Sequence, residues 1–193
     1  MTKYIREFRT ALVATLVLAV LVCGVYPMLV FGLAQGLFPE NANGSILINN
    51  GKVMGSSLIG QEFSGPQYFH PRPSAAGAGY DPLRSGGSNL GPLSKKLIGT
   101  IRQRAIHYRM ENDLNPDVKI PADAVTASAS GLDPHISPEN ALLQAPRVAK
   151  ARGRSEEAVR MAIAAHTKGR DLGVFGEPRI NIVMLNFDLD RSR

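Results

Sequence analysis

Three residue types that serine hydrolases combine occur together in the segment Asp133-Pro134-His135-Ile136-Ser137. A carboxylate, an imidazole and a hydroxyl can act as orienting acid, general base and nucleophile, but they must meet in a defined three-dimensional order. Adjacent positions in one loop do not provide that order, and the sequence has no Gly-x-Ser-x-Gly turn to expose a nucleophilic serine. The pattern Ser137-Pro138-Glu139 instead predicts a capped helix start, with a hydrolase as the alternative.

Two glycine-containing segments have the composition of anion-binding loops. Gly55–Gly60 has the glycine spacing of a phosphate-binding loop, but Gln61 and Glu62 stand where that motif needs Lys and Ser or Thr, so a turn is predicted. In the second segment, two glycines flanked by hydroxyls leave backbone N–H groups free to face an anion, although a tight structural loop is the default interpretation. Its residues are Ser85, Gly86, Gly87 and Ser88.

Composition excludes several other classes. None of the four histidines has a metal-binding spacing such as HExxH, so no metal site is predicted. The single cysteine, Cys23, excludes a disulfide framework and a cysteine-based metal site. Net charge is +6 over 193 residues, yet no nucleic-acid-binding motif accompanies it, so nucleic acid is not a predicted partner.

One long apolar segment determines where these groups lie. Thr10–Pro39 carries no charge, and about 20 apolar residues in a helix cross a bilayer core of about 30 Å. We therefore predict a transmembrane anchor over residues 10–38, with a kink at Pro27. A cleaved signal peptide is the alternative, although its apolar region would be shorter.

The basic residues before this segment orient it. Lys3, Arg6 and Arg9 place residues 1–9 in the cytoplasm by the positive-inside rule. Residues 39–193 then form one extracytoplasmic α+β domain.

The domain's elements are predicted from periodicity and capping signals. A β-hairpin is expected over residues 45–54, a helix with a basic face over 93–112, and a helical turn at 121–123. Two further helices should start at Ser137 and Ser155; the first is expected to break at Pro146 and the second to stop at Lys168-Gly169. Residues 180–187 predict a central strand that is apolar on both faces.

A long segment without periodicity, residues 55–92, separates the hairpin from the first helix. Ordering its many Gly, Ser and Pro residues costs backbone entropy that aromatic packing must offset, either internally or against a partner. We predict that this segment and the 133–137 loop face a partner protein; the alternative is that they complete the domain core. The predicted partner-facing residues are Tyr68, Arg72, Arg84, Asp133 and His135.

Five segments together resemble a known family, the C subunit of the bacterial Kdp potassium-transporting P-type ATPase. They occur in the family's order behind one N-terminal anchor, and the similarity covers nearly the whole chain. The segments are residues 68–74 (YFHPRPS), 85–92 (SGGSNLGP), 125–138 (VTASASGLDPHISP), 146–152 (PRVAKAR) and 176–181 (GEPRIN).

This resemblance implies a role in the bacterial cytoplasmic membrane. Partners would be the A subunit with the ion pathway, the B subunit that hydrolyses ATP, and the small F subunit. The C subunit is implied to be non-catalytic and needed for assembly, and to act as a catalytic chaperone that raises the ATP affinity of the B subunit. No firmly bound cofactor is implied, although ATP could contact the Ser85-Gly86-Gly87-Ser88 loop; our topology places that loop outside the cytoplasm, where ATP is not. The alternatives are a membrane-tethered hydrolase and an extracytoplasmic binding module.

Overall fold

A computed structural model describes residues 2–49 and 51–191 of the chain. Its residues fall into two compact units, Met1–Ile46 and Leu47–Arg193. Four positions covered by the predictions above lie outside the described residues: Met1, Asn50, Ser192 and Arg193.

The first unit is dominated by one apolar helix. α1 (Thr2–Ala19), a π-helical stretch (Val20–Val25) and α2 (Tyr26–Leu37) follow without a break, and a short α3 (Pro39–Ala42) comes next. Thr2–Leu37 is long and apolar enough to cross a membrane, which confirms the prediction of one such N-terminal helix. The helix begins earlier than the predicted anchor, because Lys3, Arg6 and Arg9 also lie on it.

The π-helical stretch ends just before Pro27. There the Tyr26 amide donates to the carbonyl of Leu21, five residues earlier. Proline has no N–H to donate, and its ring crowds the preceding turn, so a widened turn at this point accommodates it. A π-helical stretch therefore lies where the sequence predicts a kink.

The second unit is mixed α and β, as predicted. β1 (Ile46–Asn49) and β2 (Lys52–Ser56) form a two-stranded sheet. A second, antiparallel sheet has the order β3-β5-β4, in which Ile180 of the central strand lies opposite Ile136 and Thr167. The remaining elements are α4 (Lys95–Glu111), α5 (Ala122–Val125), β3 (His135–Ile136), α6 (Pro138–Arg152), α7 (Glu156–His166), β4 (Thr167–Lys168), β5 (Arg179–Asn181) and α8 (Ile182–Arg191).

The main core lies between the small sheet and helices α6, α7 and α8. Its fully buried side chains include Val148, Val159, Ile180 and Leu185, and Phe69 from the irregular segment packs with them. A smaller cluster joins α4 to α5 through Tyr108 and Val125. The helix predicted over 93–112 is therefore confirmed, with Ser94 as its N-cap.

The predicted strand over 180–187 is wrong beyond Asn181, where α8 begins. The Asn181 side-chain oxygen accepts hydrogen bonds from the amides of Val183 and Met184, each at 3.1 Å, which caps the helix. The buried positions of α8 follow a helical period rather than alternation. They are Ile182, Val183, Leu185, Asn186 and Leu189.

Two predicted helix ends are also corrected. α6 continues through Pro146, because Pro146 and Leu142 both lie on its exposed side, where water can bond the carbonyl that proline leaves unpaired. α7 ends at His166 rather than at Gly169, since Thr167 and Lys168 pair with β5.

Candidate functional site

Residues 57–94 form neither helix nor strand within the described chain, yet two amide side chains hold this irregular segment in the fold. Asn186 of α8 accepts from the Phe69 amide and donates to the Phe69 carbonyl, both at 2.9 Å. Gln144 of α6 does the same for His70, at 2.7 and 3.2 Å. These paired bonds replace those that a neighbouring strand would make. The backbone groups of Phe69 and His70 therefore have hydrogen-bond partners although they belong to no sheet.

Arg147 connects the same segment to two helices. Its guanidinium donates to the carbonyls of Pro66 and Tyr68 at 2.7 and 3.0 Å, and to side-chain oxygens of Asn112 and Gln144 at 2.9 and 2.8 Å. Burial lowers the pKa of Arg147, and Glu111 opposes that shift. A guanidinium that donates to four fixed acceptors has a structural role, because it holds the irregular segment against the helices.

His70 and Glu111 lie where two open cavities of about 340 and 440 Å³ meet. His70 Nδ1 is 2.9 Å from a carboxylate oxygen of Glu111. The hydrogen bond from His70 lowers the pKa of Glu111 more than burial raises it. Both cavities are also lined by Pro71, Pro73 and His107. The resulting groove between the irregular segment and α4 is mainly apolar in the smaller cavity and more polar in the larger one, where Glu62 and Arg72 also line it. A concave surface that combines apolar walls with polar groups is typical of a small-ligand or peptide site.

Three of the predicted partner-facing residues form one polar cluster beside this groove. Arg72 is 3.3 Å from Asp133, and it also donates to the carbonyl of Ala127 at 3.3 Å. Asp133 accepts from the backbone and the ring of His135, at 3.0 and 3.1 Å. Burial raises the pKa of Asp133, but the hydrogen bonds from His135 and the charges of His135 and Arg72 together lower it by more, so the net shift is downward. The Tyr80 hydroxyl donates to the carbonyl of Arg72, and burial raises its pKa.

The other two predicted residues lie apart from the cluster. Tyr68 donates through its hydroxyl to Asp190 at 3.2 Å, and the Arg152 guanidinium lies over its ring, 5.3 Å from the centroid. Arg84 is exposed and approaches Asp81 at 3.4 Å. The side chains of Tyr68 and Arg72 therefore bond to other residues of the domain, whereas the side chain of Arg84 faces solvent.

The Ser85-Gly86-Gly87-Ser88 loop packs against the loop at residues 128–131. The Gly86 amide and the Ser85 hydroxyl both donate to the carbonyl of Ser130, at 2.8 and 3.0 Å. A Cβ atom at Gly87 would lie 3.0 Å from the carbonyl oxygen of Ala129. Glycine at 87 thus permits a close approach of two loops, and the Gly86 amide is already bonded.

The hydroxyl of Ser137 is bonded as a helix cap. It accepts from the Asn140 amide at 3.1 Å and lies 3.0 Å from a carboxylate oxygen of Asp123, to which it donates. Asp123 also accepts from the Ser137 amide and from the Asn140 side chain, at 2.8 and 2.9 Å. The predicted cap at Ser137 is confirmed. His135 bonds instead to Asp133, so serine and imidazole belong to separate networks.

Sequence reasoning missed the buried polar residues that organise the site. Asn140, Gln144 and Arg147 recur at spacings of four and three along α6, so they lie on one helix face. A polar stripe among small apolar residues was the available signal, because polar groups on a buried face must find partners. Asn186 and Glu111 show no comparable pattern.

Comparison with known proteins identifies the family to which this chain belongs. Residues 8–191 match the family described as K+-transporting ATPase, c chain. The chain belongs to this family and is a subunit of a P-type potassium-transporting ATPase, as the resemblance implied.

Individual relatives are similar over nearly their whole length. The chain is 54% identical to the potassium-transporting ATPase KdpC subunit of Nitratidesulfovibrio vulgaris, covering 94% of this chain and 92% of the relative. It is 51% identical to the protein of that name from Koribacter versatilis, covering 95% and 94%, and 50% identical to that of Mycobacterium bovis, covering 96% and 98%.

Proposed function

We propose that this chain is a non-catalytic accessory subunit that the potassium-transporting ATPase needs for assembly and stability. Its partners are the A subunit with the ion pathway, the B subunit that hydrolyses ATP, and the small F subunit. Residues 1–9 lie in the cytoplasm of a bacterium, the apolar helix crosses the cytoplasmic membrane, and residues 39–193 lie outside.

One observation carries this proposal. Among residues 2–49 and 51–191, the single helix long and apolar enough to span a membrane is Thr2–Leu37. An ion pathway needs several polar surfaces to enclose it, and one apolar helix cannot supply them. The route for potassium therefore belongs to other subunits, and this chain supports them.

The bonding of Ser137 supports a non-catalytic role. The Ser137 hydroxyl is engaged as both donor and acceptor, because it donates to the carboxylate of Asp123 and accepts from the Asn140 amide as the cap of α6. Asp123 in turn accepts from the Ser137 amide and from the Asn140 side chain. This arrangement stabilises the start of a helix, whereas the hydrolase alternative requires Ser137 to face His135.

The family's ATP-related role is proposed here as an indirect one. The Gly86 amide donates to the carbonyl of Ser130, and in the proposed orientation the loop lies on the extracytoplasmic side, away from cytoplasmic ATP. The chain then raises ATP affinity only through the subunits it holds. Photolabelling with an azido-ATP should modify the B subunit and leave this chain unlabelled; labelling of this chain within residues 85–88 would instead support direct nucleotide contact.

Cysteine labelling tests the orientation. In cells whose Cys23 is replaced by serine, a cysteine at Thr2 should react only with a membrane-permeant reagent. A cysteine at Ser155 should also react with an impermeant reagent added from outside. The opposite pattern would place the domain in the cytoplasm and overturn the proposed topology.

Purification of the complex tests the role. A tagged chain should recover the A, B and F subunits from membranes, and cells without it should lose potassium-stimulated ATP hydrolysis. Arg84→Ala tests the predicted partner-facing surface, with Arg160→Ala, an exposed arginine on α7, as the matched control. Equal recovery of the partner proteins by both variants would remove Arg84 from that surface.

A further inference from the structure

The loop between β4 and β5 exposes apolar side chains at its tip. Exposure is 89% for Leu172, 72% for Val174 and 65% for Phe175. The tip is nevertheless ordered by hydrogen bonds between the backbones of Asp171 and Phe175, at 2.8 and 2.9 Å. Three neighbouring apolar side chains are thus held in water by a defined turn, which is a recognisable mark of an interaction site.

The backbone at this tip is unfavourable for its sequence. Leu172 has φ +53° and is followed by Gly173 at +76°. A left-handed conformation suits glycine but costs a leucine roughly 1 kcal/mol. Burial does not compensate for this, because Leu172 is almost fully exposed. Neither local preference nor packing within the domain accounts for leucine here.

Two ion pairs across the loop hold its base. Arg170 lies 2.8 Å from a carboxylate oxygen of Glu177, and Arg179 lies 3.0 Å from Asp171. The four charges cancel, and both carboxylates are largely exposed. Membrane-binding tips typically carry excess Lys and Arg to meet anionic headgroups. The tip residues 172–175 carry no charged side chain, and Lys168 on β4 adds a single positive charge to the four that cancel. A tip without charged side chains fits a cleft in a protein better than an anionic lipid surface.

The size of the tip argues against self-association. A specific interface buries about 800 Å² on each partner. One aromatic side chain supplies roughly 150–250 Å², and leucine and valine supply less. Three side chains therefore cannot form a stable dimer on their own, but they can anchor a larger interface by filling a cleft.

We infer that the tip formed by Leu172, Val174 and Phe175 inserts into an uncharged apolar cleft on the extracytoplasmic surface of another subunit of the ATPase. The inference rests on the proposed function, since it needs the domain outside the membrane and bound to partners. It adds a specific anchoring site to the partner-facing residues predicted above.

Leu172→Asn gives a sharp test because asparagine tolerates a left-handed backbone better than leucine does. The variant should leave the unfolding temperature of the tagged full-length chain unchanged or raise it. In the intact complex it should weaken subunit association about tenfold, as loss of an anchoring residue does. Met161→Gln is the matched control, because Met161 is 60% exposed on α7, outside the predicted partner-facing segments, and it should change neither measurement.

The outcomes separate the inference from the proposed function. If the wild-type chain recovers no other subunit, the proposed function fails. If wild type and Leu172→Asn recover the partner proteins equally, the inference fails and the proposed function stands. A photoreactive residue at Val174 should crosslink to another subunit; crosslinks to lipid or to a second copy of this chain would each overturn the assignment.

Discussion

Both ring nitrogens of His70 face hydrogen-bond acceptors. Nδ1 lies 2.9 Å from a carboxylate oxygen of Glu111, and Nε2 lies 3.0 Å from the carbonyl oxygen of Gly65. A neutral imidazole carries one N–H, so it can donate only one of these bonds. The imidazolium form donates both, and its charge is balanced by Glu111. This pair joins α4 to the irregular segment.

The Glu111 side of this pair predicts loss of stability in acid. Its pKa is lowered in the folded chain, first by the hydrogen bond from His70, so its stabilisation is present above the ordinary glutamate pKa of about 4.3. That stabilisation is lost as pH falls through the lowered pKa. Glu111→Gln should flatten the acid limb of stability measured by urea unfolding, while Glu177→Gln, in an exposed loop, should leave it unchanged. An identical acid limb in wild type and Glu111→Gln would contradict this.

Arg147→Lys should destabilise the domain although it conserves charge. A lysine ammonium cannot reach the four acceptors that the guanidinium fork contacts, and a hydrogen bond to a charged group contributes about 1.5–3 kcal/mol. We expect the free energy of unfolding to fall by about 2 kcal/mol or more. Arg160→Lys, at an exposed pair with Glu156, should cost less than about 0.5 kcal/mol. Similar losses in the two variants would show that Arg147 has no special structural role.

Gly131 and Gly153 form a matched pair for testing the loop packing. Both have left-handed backbones, at φ +69° and +64°. A Cβ at Gly131 would lie 2.7 Å from both the Ala76 amide nitrogen and the Gly86 carbonyl oxygen, whereas one at Gly153 would meet nothing within 4 Å. Gly153→Ala should therefore cost about 1 kcal/mol in thermal unfolding, and Gly131→Ala clearly more. Equal costs would mean that the loops at 85–88 and 128–131 are not closely packed.

Ser137→Ala should reduce stability without abolishing any covalent chemistry. Loss of an N-cap costs about 1 kcal/mol, and here Asp123 also loses a donor. Ser155→Ala removes the cap of α7, whose Ser155 hydroxyl accepts from the Ala158 amide at 3.2 Å, and it should cost less. A fluorophosphonate probe should label neither the wild-type chain nor Ser137→Ala. Labelling that requires Ser137 would revive the hydrolase alternative.

The membrane helix, α4 and the helix starts at Ser137 and Ser155 were predictable because their signals are local. Apolar length, periodicity and capping serines act within a few residues of one another. The mistake at 180–187 has the same origin, since Ile180, Ile182 and Val183 favour a strand by local preference. Asn181 was a capping signal within that run, and the packing of α8 on the core prevailed over the preference.

The bonding of the irregular segment could not be predicted in this way. Phe69 is held by Asn186, which lies 117 positions later in the chain, and His70 by Gln144, which lies 74 positions later. No periodic pattern in a single sequence indicates such pairs. The resemblance to the family identified the segments 68–74 and 146–152 as important, but their contacts emerged only from the fold.

The distance along the chain between α8 and the residues it holds has a consequence for biogenesis. Asn186 and Asp190 supply the bonds that hold Phe69 and Tyr68, and they are synthesised 117 and 122 residues after those partners. Until α8 has been made, the aromatic residues near position 69 lack these hydrogen bonds. A chain truncated before α8 would therefore present an unfinished core to chaperones and proteases.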